Sequence, residues 1–445
     1  MFRKILIANR GEIALRVARA ARALGVATVG VVSDADAGAR HVSEADESVP
    51  IGPSAPRESY LNGGALVGAA RRTGCDAVHP GYGFLAENAA FAQRCEDEGL
   101  AFIGPPAAVI RQMGDKLGAR RTMRSACIPV VPGTDSDLSS AEPAALQALA
   151  EEVGYPLFIK AAAGGGGIGM VRVAGPGKLA AAMAEVRRRA AAAFGDDRVY
   201  LERAIARPRH VEVQLLGDHH GRLIHCFERE CSVQRRHQKV VEESPSPALD
   251  PEGRAAITAA ALAAGRAVAY RNAGTVEFVL DERARFYFLE MNTRIQVEHP
   301  VTELVTGIDL VQQQIRIAAG EPLAFEPGGV AQRGHAIECR IYAEDPTTFY
   351  PSPGRLDVYE EPSGGHLRVD SWVRPGTTIT PYYDPLLAKL AAWGEDRGEA
   401  IARLRAALDE FRVEGIKTNI PLHRRILADP GFVAGAYDVT LLDRR

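Results

Sequence analysis

The chain has 445 residues, 46% of them hydrophobic and 24% charged, with a net charge of −3 and a pI near 6.4. That length suits two or three domains with cores large enough to fold without staples. The balanced charge offers no basic face for nucleic acid, and no apolar run approaches the ~20 residues of a membrane span, so neither is expected as a partner. The opening Met-Phe-Arg-Lys and residues 5–8 are too short in their apolar part for a signal peptide and read as a first buried strand. Six cysteines, at 75, 95, 127, 226, 231 and 339, form no C-x-x-C pair, which predicts reduced thiols in a cytoplasmic protein.

In chain order, residues 5–8 lead into Asn9-Arg10-Gly11-Glu12 and a helical pattern over 13–24. Residues 26–32, 76–79 and 101–103 read as further strands with turn residues behind them. Strand, turn and helix in repetition predict an α/β fold that starts with a doubly wound parallel sheet, with ligands at the carboxyl ends of its strands. No G-x-G-x-x-G follows the first strand, so a dinucleotide site is not supported. Met113-Gly-Asp-Lys116 opens a helix, and 130–137 is a Pro/Gly/Ser/Asp linker. Residues 131–205 hold two Ala-rich helices, strands at 156–160, 170–173 and 199–202, and a glycine run, a small unit that reads as a mobile lid. Beyond 334, short strands and an amphipathic helix near 399–411 predict an α+β C-terminal domain. The expected division is 1–113, 114–333 and 334–445.

Only seven of the 53 basic residues are lysines, and Lys116, Lys160 and Lys239 fall in the segments richest in chemistry. An Arg-biased sequence supplies Lys where a compact ammonium is needed. Lys160 precedes Gly164-Gly165-Gly166-Gly167-Ile168-Gly169, whose exposed N–H groups suit close approach to phosphate oxygens. This is not a Walker A loop, because the lysine comes before the glycines. Residues 274–279 and 286–292 read as a hairpin that, with a turn centred near Arg283-Ala284, puts Glu277 opposite Glu290, with Glu290 and Asn292 on one face and Phe278, Leu289 and Met291 anchored in the core. Facing carboxylates repel unless a cation lies between them, and this oxygen set points to Mg²⁺ or Mn²⁺. The run 234–239, Gln-Arg-Arg-His-Gln-Lys, reads either as a solvated basic face or, beside a metal–phosphate site, as capture of a small anion. Glu298 is a candidate general base. Spacing alone assigns no catalytic role to Glu230, His237 or His299.

Taken together, these segments resemble the biotin carboxylases of the ATP-grasp superfamily along essentially the whole chain. The match rests on Ile-Ala-Asn-Arg-Gly-Glu-Ile-Ala (7–14), His-Pro-Gly-Tyr-Gly-Phe-Leu-Ala-Glu-Asn (79–88), Gly-Asp-Lys (114–116), the glycine loop and Gln-Arg-Arg-His-Gln-Lys (234–239). It continues through Glu-Met-Asn-Thr-Arg-Ile-Gln-Val-Glu-His-Pro-Val-Thr-Glu (290–303) and Gly-His-Ala-Ile-Glu-Cys-Arg-Ile (334–341). The resemblance implies a central ATP-grasp domain, with ATP phosphates on Lys116, Lys160 and the backbone of Gly166 and Gly167. Glu202, Arg203 and Ile205 would line the adenine, with His210, Gln234 and His237 nearby. Glu277, Glu290 and Asn292 would bind two divalent ions. Lys239, Arg294, Gln296 and Val297 would hold bicarbonate and Glu298 would deprotonate it. Transfer of the γ-phosphoryl group gives carboxyphosphate, which releases CO₂ beside biotin, and Arg340, with Arg294, Tyr82 and Gly83, would form the biotin site. Ile168 and Arg203 depart from the family, which more often has a basic residue and a Lys there.

The sequence has no Ala-Met-Lys-Met attachment site. The expected partners are therefore a separate biotin carboxyl carrier protein and a carboxyltransferase subunit, with the chain itself a homodimer. The reaction would be the first half-reaction of an acetyl-CoA or other acyl-CoA carboxylase. The rival readings are another ATP-grasp carboxylate–amine ligase and a silent nucleotide-binding subunit. Lys239, Arg294, Glu298 and Arg340, all intact, speak against both.

Overall fold

The computed structural model describes residues 1–164 and 169–443. Strands β1 (Lys4–Ile7), β2 (Ala27–Ser33), β3 (Glu47–Gly52), β4 (Ala77–His79) and β5 (Ala101–Phe102) form one parallel sheet in the order β3-β2-β1-β4-β5. Ile5, Leu6 and Ile7 are at most 1% exposed, as expected where crossover helices cover both faces of a parallel sheet. Helices Gly63–Arg72 and Ala89–Asp97 begin where Asn62 and Asn88 accept the backbone N–H groups of Ala65 and Phe91. The strand order reverses between β1 and β4, and there the two following loops are tied together. Asn9 Nδ2 donates to the carbonyls of Pro80 and Tyr82, both at 2.7 Å. A crevice at this switch point is the expected ligand position of such a sheet.

A second unit consists of β6 (Leu157–Ala161), β7 (Met170–Val173) and β8 (Val199–Arg203), antiparallel in the order β7-β6-β8. Helices Pro143–Val153 and Leu179–Phe194 cover it, and its core of Leu146, Val153, Ile159, Val186 and Leu201 is separate from the others. The approach to it runs close: Gly133 bridges to Glu202, and a Cβ on Gly133 would lie 2.3 Å from the Leu201 carbonyl oxygen.

The remaining chain forms β9 (Arg209–Gly217), β10 (Leu223–Arg235), β11 (Gln238–Ser244), β12 (Asn272–Leu280), β13 (Phe286–Asn292) and β14 (His335–Tyr342). It ends with β15 (Gly354–Arg355), β16 (Val358–Glu360), β17 (Leu367–Ser371), β18 (Thr378–Ile379), β19 (Leu386–Gly394) and β20 (Arg412–Glu414). Eight of these strands form an antiparallel sheet in the order β13-β12-β9-β10-β11-β14-β19-β17, so β11 pairs directly with β14. The amphipathic pattern near 399–411 is the helix Arg397–Glu410, with Ile401, Leu404 and Leu408 buried. No helix among the described residues is long and apolar enough to cross a membrane.

Candidate active site

Strand β9 shows how the sequence builds the site. Val211, Val213 and Leu215 join the core with Ile257, Ala261 and Ala264 of the helix behind the sheet. The alternate residues His210, Glu212 and Gln214 take the opposite face. His210, with Lys239 and Glu277 from the neighbouring strands, lines one wall of a cleft of about 1400 Å³, and Glu212 and Gln214 are buried behind it. The other walls come from the loops after β1 and β4 and from the three-stranded unit.

Lys239 is the hub of the wall. Its Nζ donates to Glu212 Oε2 at 2.5 Å, Glu277 Oε1 at 2.7 Å and Glu298 Oε1 at 2.7 Å. His210 Nε2 lies 3.2 Å from the second oxygen of Glu277. Arg229, wholly buried, donates to Glu212 at 2.6 Å, Gln214 at 2.8 Å, and the hydroxyls of Thr302 and Thr275 at 3.0 Å. Burial pushes Glu277 up, but Lys239 and His210 outweigh it and bring it down to about 2. Burial likewise opposes the charge on His210, yet Glu277 and Glu212 raise it to about 9. Glu277 and His210 are therefore both ionised at neutral pH.

Glu298 sits between two cations, since Arg340 Nη2 donates to its Oε2 at 3.0 Å while Lys239 holds Oε1. Arg340 Nε donates in turn to Glu242 at 2.6 Å. Arg294 is fixed by Glu87 at 2.9 Å, Gln296 Oε1 at 3.0 Å and Asn292 Oδ1 at 3.3 Å. The Val297 carbonyl accepts from Lys389 at 3.0 Å. Tyr82 donates its hydroxyl to Glu12, and Gly83 lies beside it on the cleft wall.

Toward the three-stranded unit, Lys116 Nζ lies 3.4 Å from Glu290 Oε2 and Lys160 pairs with Glu202. Arg120, 2% exposed, holds the other oxygen of Glu202 at 2.9 Å. Both Glu202 oxygens are thus engaged, and Glu202 and Ile205 border the cleft. Arg203 turns its guanidinium onto the Val153 carbonyl at 2.7 Å. Gln234 donates to the Cys231 carbonyl at 2.9 Å, and His237 lies on the rim, kept uncharged by burial and by Lys160. Gly166, Gly167 and Ile168 lie outside the described residues.

The register pairs Glu277 with Glu290 as expected, although the pairs next to the turn, such as Leu280 with Phe286, are centred on Arg283 and would by themselves set Glu277 opposite Leu289. A bulge between Glu277 and Phe278 alters the facing of the next residues: Phe278 and Met291 are buried, but Leu289 joins the cleft wall instead of the core. With Glu277, Glu290 and Asn292 all on the cleft, the donor set fits a hard divalent cation, since every donor is oxygen and the neighbouring Lys116 and Lys239 show that these carboxylates attract positive charge.

Sequence reasoning missed Glu212, Arg229, Glu87 and Glu242. Glu212 was findable, because a His-x-Glu-x-Gln alternation opposite Val-x-Val-x-Leu marks a polar face of a strand too apolar to be solvated. Arg229 and Glu242 carry no such local signal, and only the sheet order brings them to Lys239 and Arg340.

Three family models cover the chain: "Biotin carboxylase, N-terminal domain" over residues 1–110, "Carbamoyl-phosphate synthase L chain, ATP binding domain" over 115–326, and "Biotin carboxylase C-terminal domain" over 338–444. A biotin carboxylase of Pseudomonas aeruginosa is 52% identical over 445 residues, which is 100% of this chain and 99% of that one. Biotin carboxylase 2 of Bacillus subtilis is 51% identical over 440 residues, covering 99% and 98%. The biotin carboxylase domain dimer of Hydrogenobacter thermophilus 2-oxoglutarate carboxylase, crystallised with MgADP, ADP and bicarbonate, superposes with a TM-score of 0.96 at 45% identity, covering 100% and 98%. A likeness that runs through all three segments, in sequence and in fold, places the chain in the biotin carboxylase family.

Proposed function

We propose that the cleft couples ATP cleavage to the carboxylation of biotin, with bicarbonate as the carbon source and the biotin borne by a separate carrier protein. One observation carries this reading. A wholly buried carboxylate, Glu298, is held between Lys239 and Arg340, and both cations line the cleft that also carries Lys116, Lys160 and the facing carboxylates Glu277 and Glu290. Lys116 and Lys160 take the ATP phosphates with the backbone of Gly166 and Gly167, while Glu202, Arg203 and Ile205 border the adenine beside His210, Gln234 and His237. Glu277, Glu290 and Asn292 hold two Mg²⁺ or Mn²⁺ ions, which when bound neutralise phosphate charge. Lys239, Arg294, Gln296 and Val297 orient bicarbonate, and Glu298 removes its proton as the γ-phosphoryl group is transferred. Arg340 and Arg294, with Tyr82 and Gly83, receive biotin, and Arg340 neutralises charge on its oxygen. The three-stranded unit excludes water from the carboxyphosphate.

We place the domain limits at 1–113, 114–333 and 334–445, with the lid at 131–205. We further propose a cytoplasmic homodimer that works with a carboxyl carrier protein and a carboxyltransferase, in an acetyl-CoA or other acyl-CoA carboxylase. The test is ATP hydrolysis with Mg²⁺ and bicarbonate, with and without free biotin, beside Glu298→Gln. The expected result is bicarbonate-dependent, biotin-stimulated turnover that falls by about 10²–10⁴-fold in the variant. Turnover independent of bicarbonate refutes the reading and favours an amine ligase.

A further inference from the structure

Behind Arg340 lie two carboxyl groups that the proposed reaction does not use. Glu242 on β11 and Glu338 on β14 face each other in register, both are 0% exposed, and neither lines the cleft. Glu242 Oε1 accepts from Arg340, but its Oε2 has no partner, and neither oxygen of Glu338 has one. The nearby cations are already engaged. Arg340 bridges Glu242 and Glu298, while Lys389, opposite Arg340 on β19, donates to the Val297 carbonyl and lies 3.2 Å from Glu12.

A carboxylate with no donor in such a place costs several kcal/mol, so the group takes up a proton instead. Directly opposed residues of an antiparallel pair have Cβ atoms ~4.5–5.5 Å apart, close enough for one acid O–H to reach the other carboxylate. Burial pushes Glu338 well above the usual carboxylate range and Glu242 to about 7, which makes Glu338 the proton holder.

We propose that Glu338 is held as the un-ionised acid, that it donates its proton to the free oxygen of Glu242, and that this pair is the positioning device that turns Arg340 toward the cleft. The proposal rests on the reading of Arg340 as the cation that meets biotin. One negative charge anchors the Nε–Nη2 edge of the guanidinium on Glu242 Oε1, from which Nη2 still reaches Glu298 at the cleft wall. A second negative charge would draw the guanidinium back into the sheet.

Infrared spectra of the substrate-free protein in H₂O and D₂O test the first half. The carbonyl stretch of an un-ionised carboxylic acid is expected in the unaltered chain, displaced in Glu242→Gln and absent in Glu338→Gln. Kinetics with free biotin test the second half. Glu242→Gln and Glu338→Ala raise the KM for biotin about tenfold to a hundredfold with the KM for ATP held. Glu338→Gln, whose amide still donates to Glu242, recovers most of that loss. Thermal unfolding of each variant separates mispositioning from misfolding. An acid band that survives Glu338→Gln, a Glu338→Gln enzyme as impaired as Glu338→Ala, or equal changes in both KM values overturns the proposal. Absence of bicarbonate-dependent turnover in the unaltered chain overturns the reading of the cleft, while the infrared arm, which needs no substrate, still decides the pair.

Discussion

Replacing Lys239 with Met removes one ammonium from among three carboxylates while keeping most of the side-chain volume. Oxygens of Glu212 and Glu277 lie within 4.8 Å of each other, as do those of Glu212 and Glu298. At that separation and an effective dielectric near 20, each pair repels by about 3 kcal/mol. Arg229, His210 and Arg340 remain on other oxygens, so the net loss is the about 3–5 kcal/mol typical of removing one partner from a buried ion pair. The assay is urea unfolding at pH 6 and pH 8 in EDTA. In the unaltered chain Glu277 is held near 2, and Glu212 is held well below the usual range because Lys239 and Arg229 outweigh burial, so neither titrates in this window. In the variant, a carboxyl group of the cluster acquires a folded pKa above its unfolded one. Its stability is then present below the unfolded pKa and lost as pH rises through the folded one, so the deficit is larger at pH 8 than at pH 6. Replacing EDTA with excess Mg²⁺ narrows it. A deficit under about 1 kcal/mol, or one identical at both pH values, refutes the account of Lys239 as the counter-ion of all three carboxylates.

Three further outcomes are expected. Glu243 accepts from His335 at 2.5 Å, Arg397 at 2.7 Å and Tyr437, and His335 and Arg397 overcome burial to bring it from 4.5 to about 2. Its contribution, about 3 kcal/mol from the shift, is present above pH 4.5 and lost as pH falls through 2, so Glu243→Gln is less stable by that amount at pH 7 and the gap closes in acid unfolding curves. Gly133→Ala pushes a methyl against the backbone of Leu201 and Glu202, costs about 1–3 kcal/mol in thermal unfolding and raises the KM for ATP more than that for bicarbonate. Arg229→Met leaves Glu212 short of a donor and lowers stability by about 3–5 kcal/mol in urea titrations, without a direct loss of any cleft-lining group.

Four strands of the first sheet were legible because they are short apolar runs closed by Gly, Pro and Ser-Asp turns, and the observed strand Ala27–Ser33 differs from the expected 26–32 by one residue at each end, whereas the edge strand Glu47–Gly52, polar and largely exposed, went unread. Glu277 and Glu290 were legible as the two polar ends of a local hairpin, but the spacing around the turn would set Glu277 opposite Leu289, and the bulge supplies the last residue of register. The bulge that sends Leu289 to the cleft lies in the β12–β13 ladder and left no mark, since no Gly or other local signal in residues 286–292 announces it. The buried partners of Lys239 and Arg340 come from strands tens of residues away in sequence. Long-range pairing decides them, and one chain read alone contains no signal for it.

Because β11 hydrogen-bonds β14, the middle and last parts of the chain share a single beam. Lys239 and Arg340 are carried on adjacent rails of that beam, so their spacing across Glu298 is set by backbone ladder geometry and does not depend on how two bodies happen to dock. The three-stranded unit, with a core of its own, stands outside that beam, while Lys239 and Arg340 stay aligned like tools on the bed of a lathe. For anyone dividing the protein for expression, a cut between the middle and last parts would leave two raw sheet edges that seek any available strand. Two sticky fragments are the expected product of such a cut.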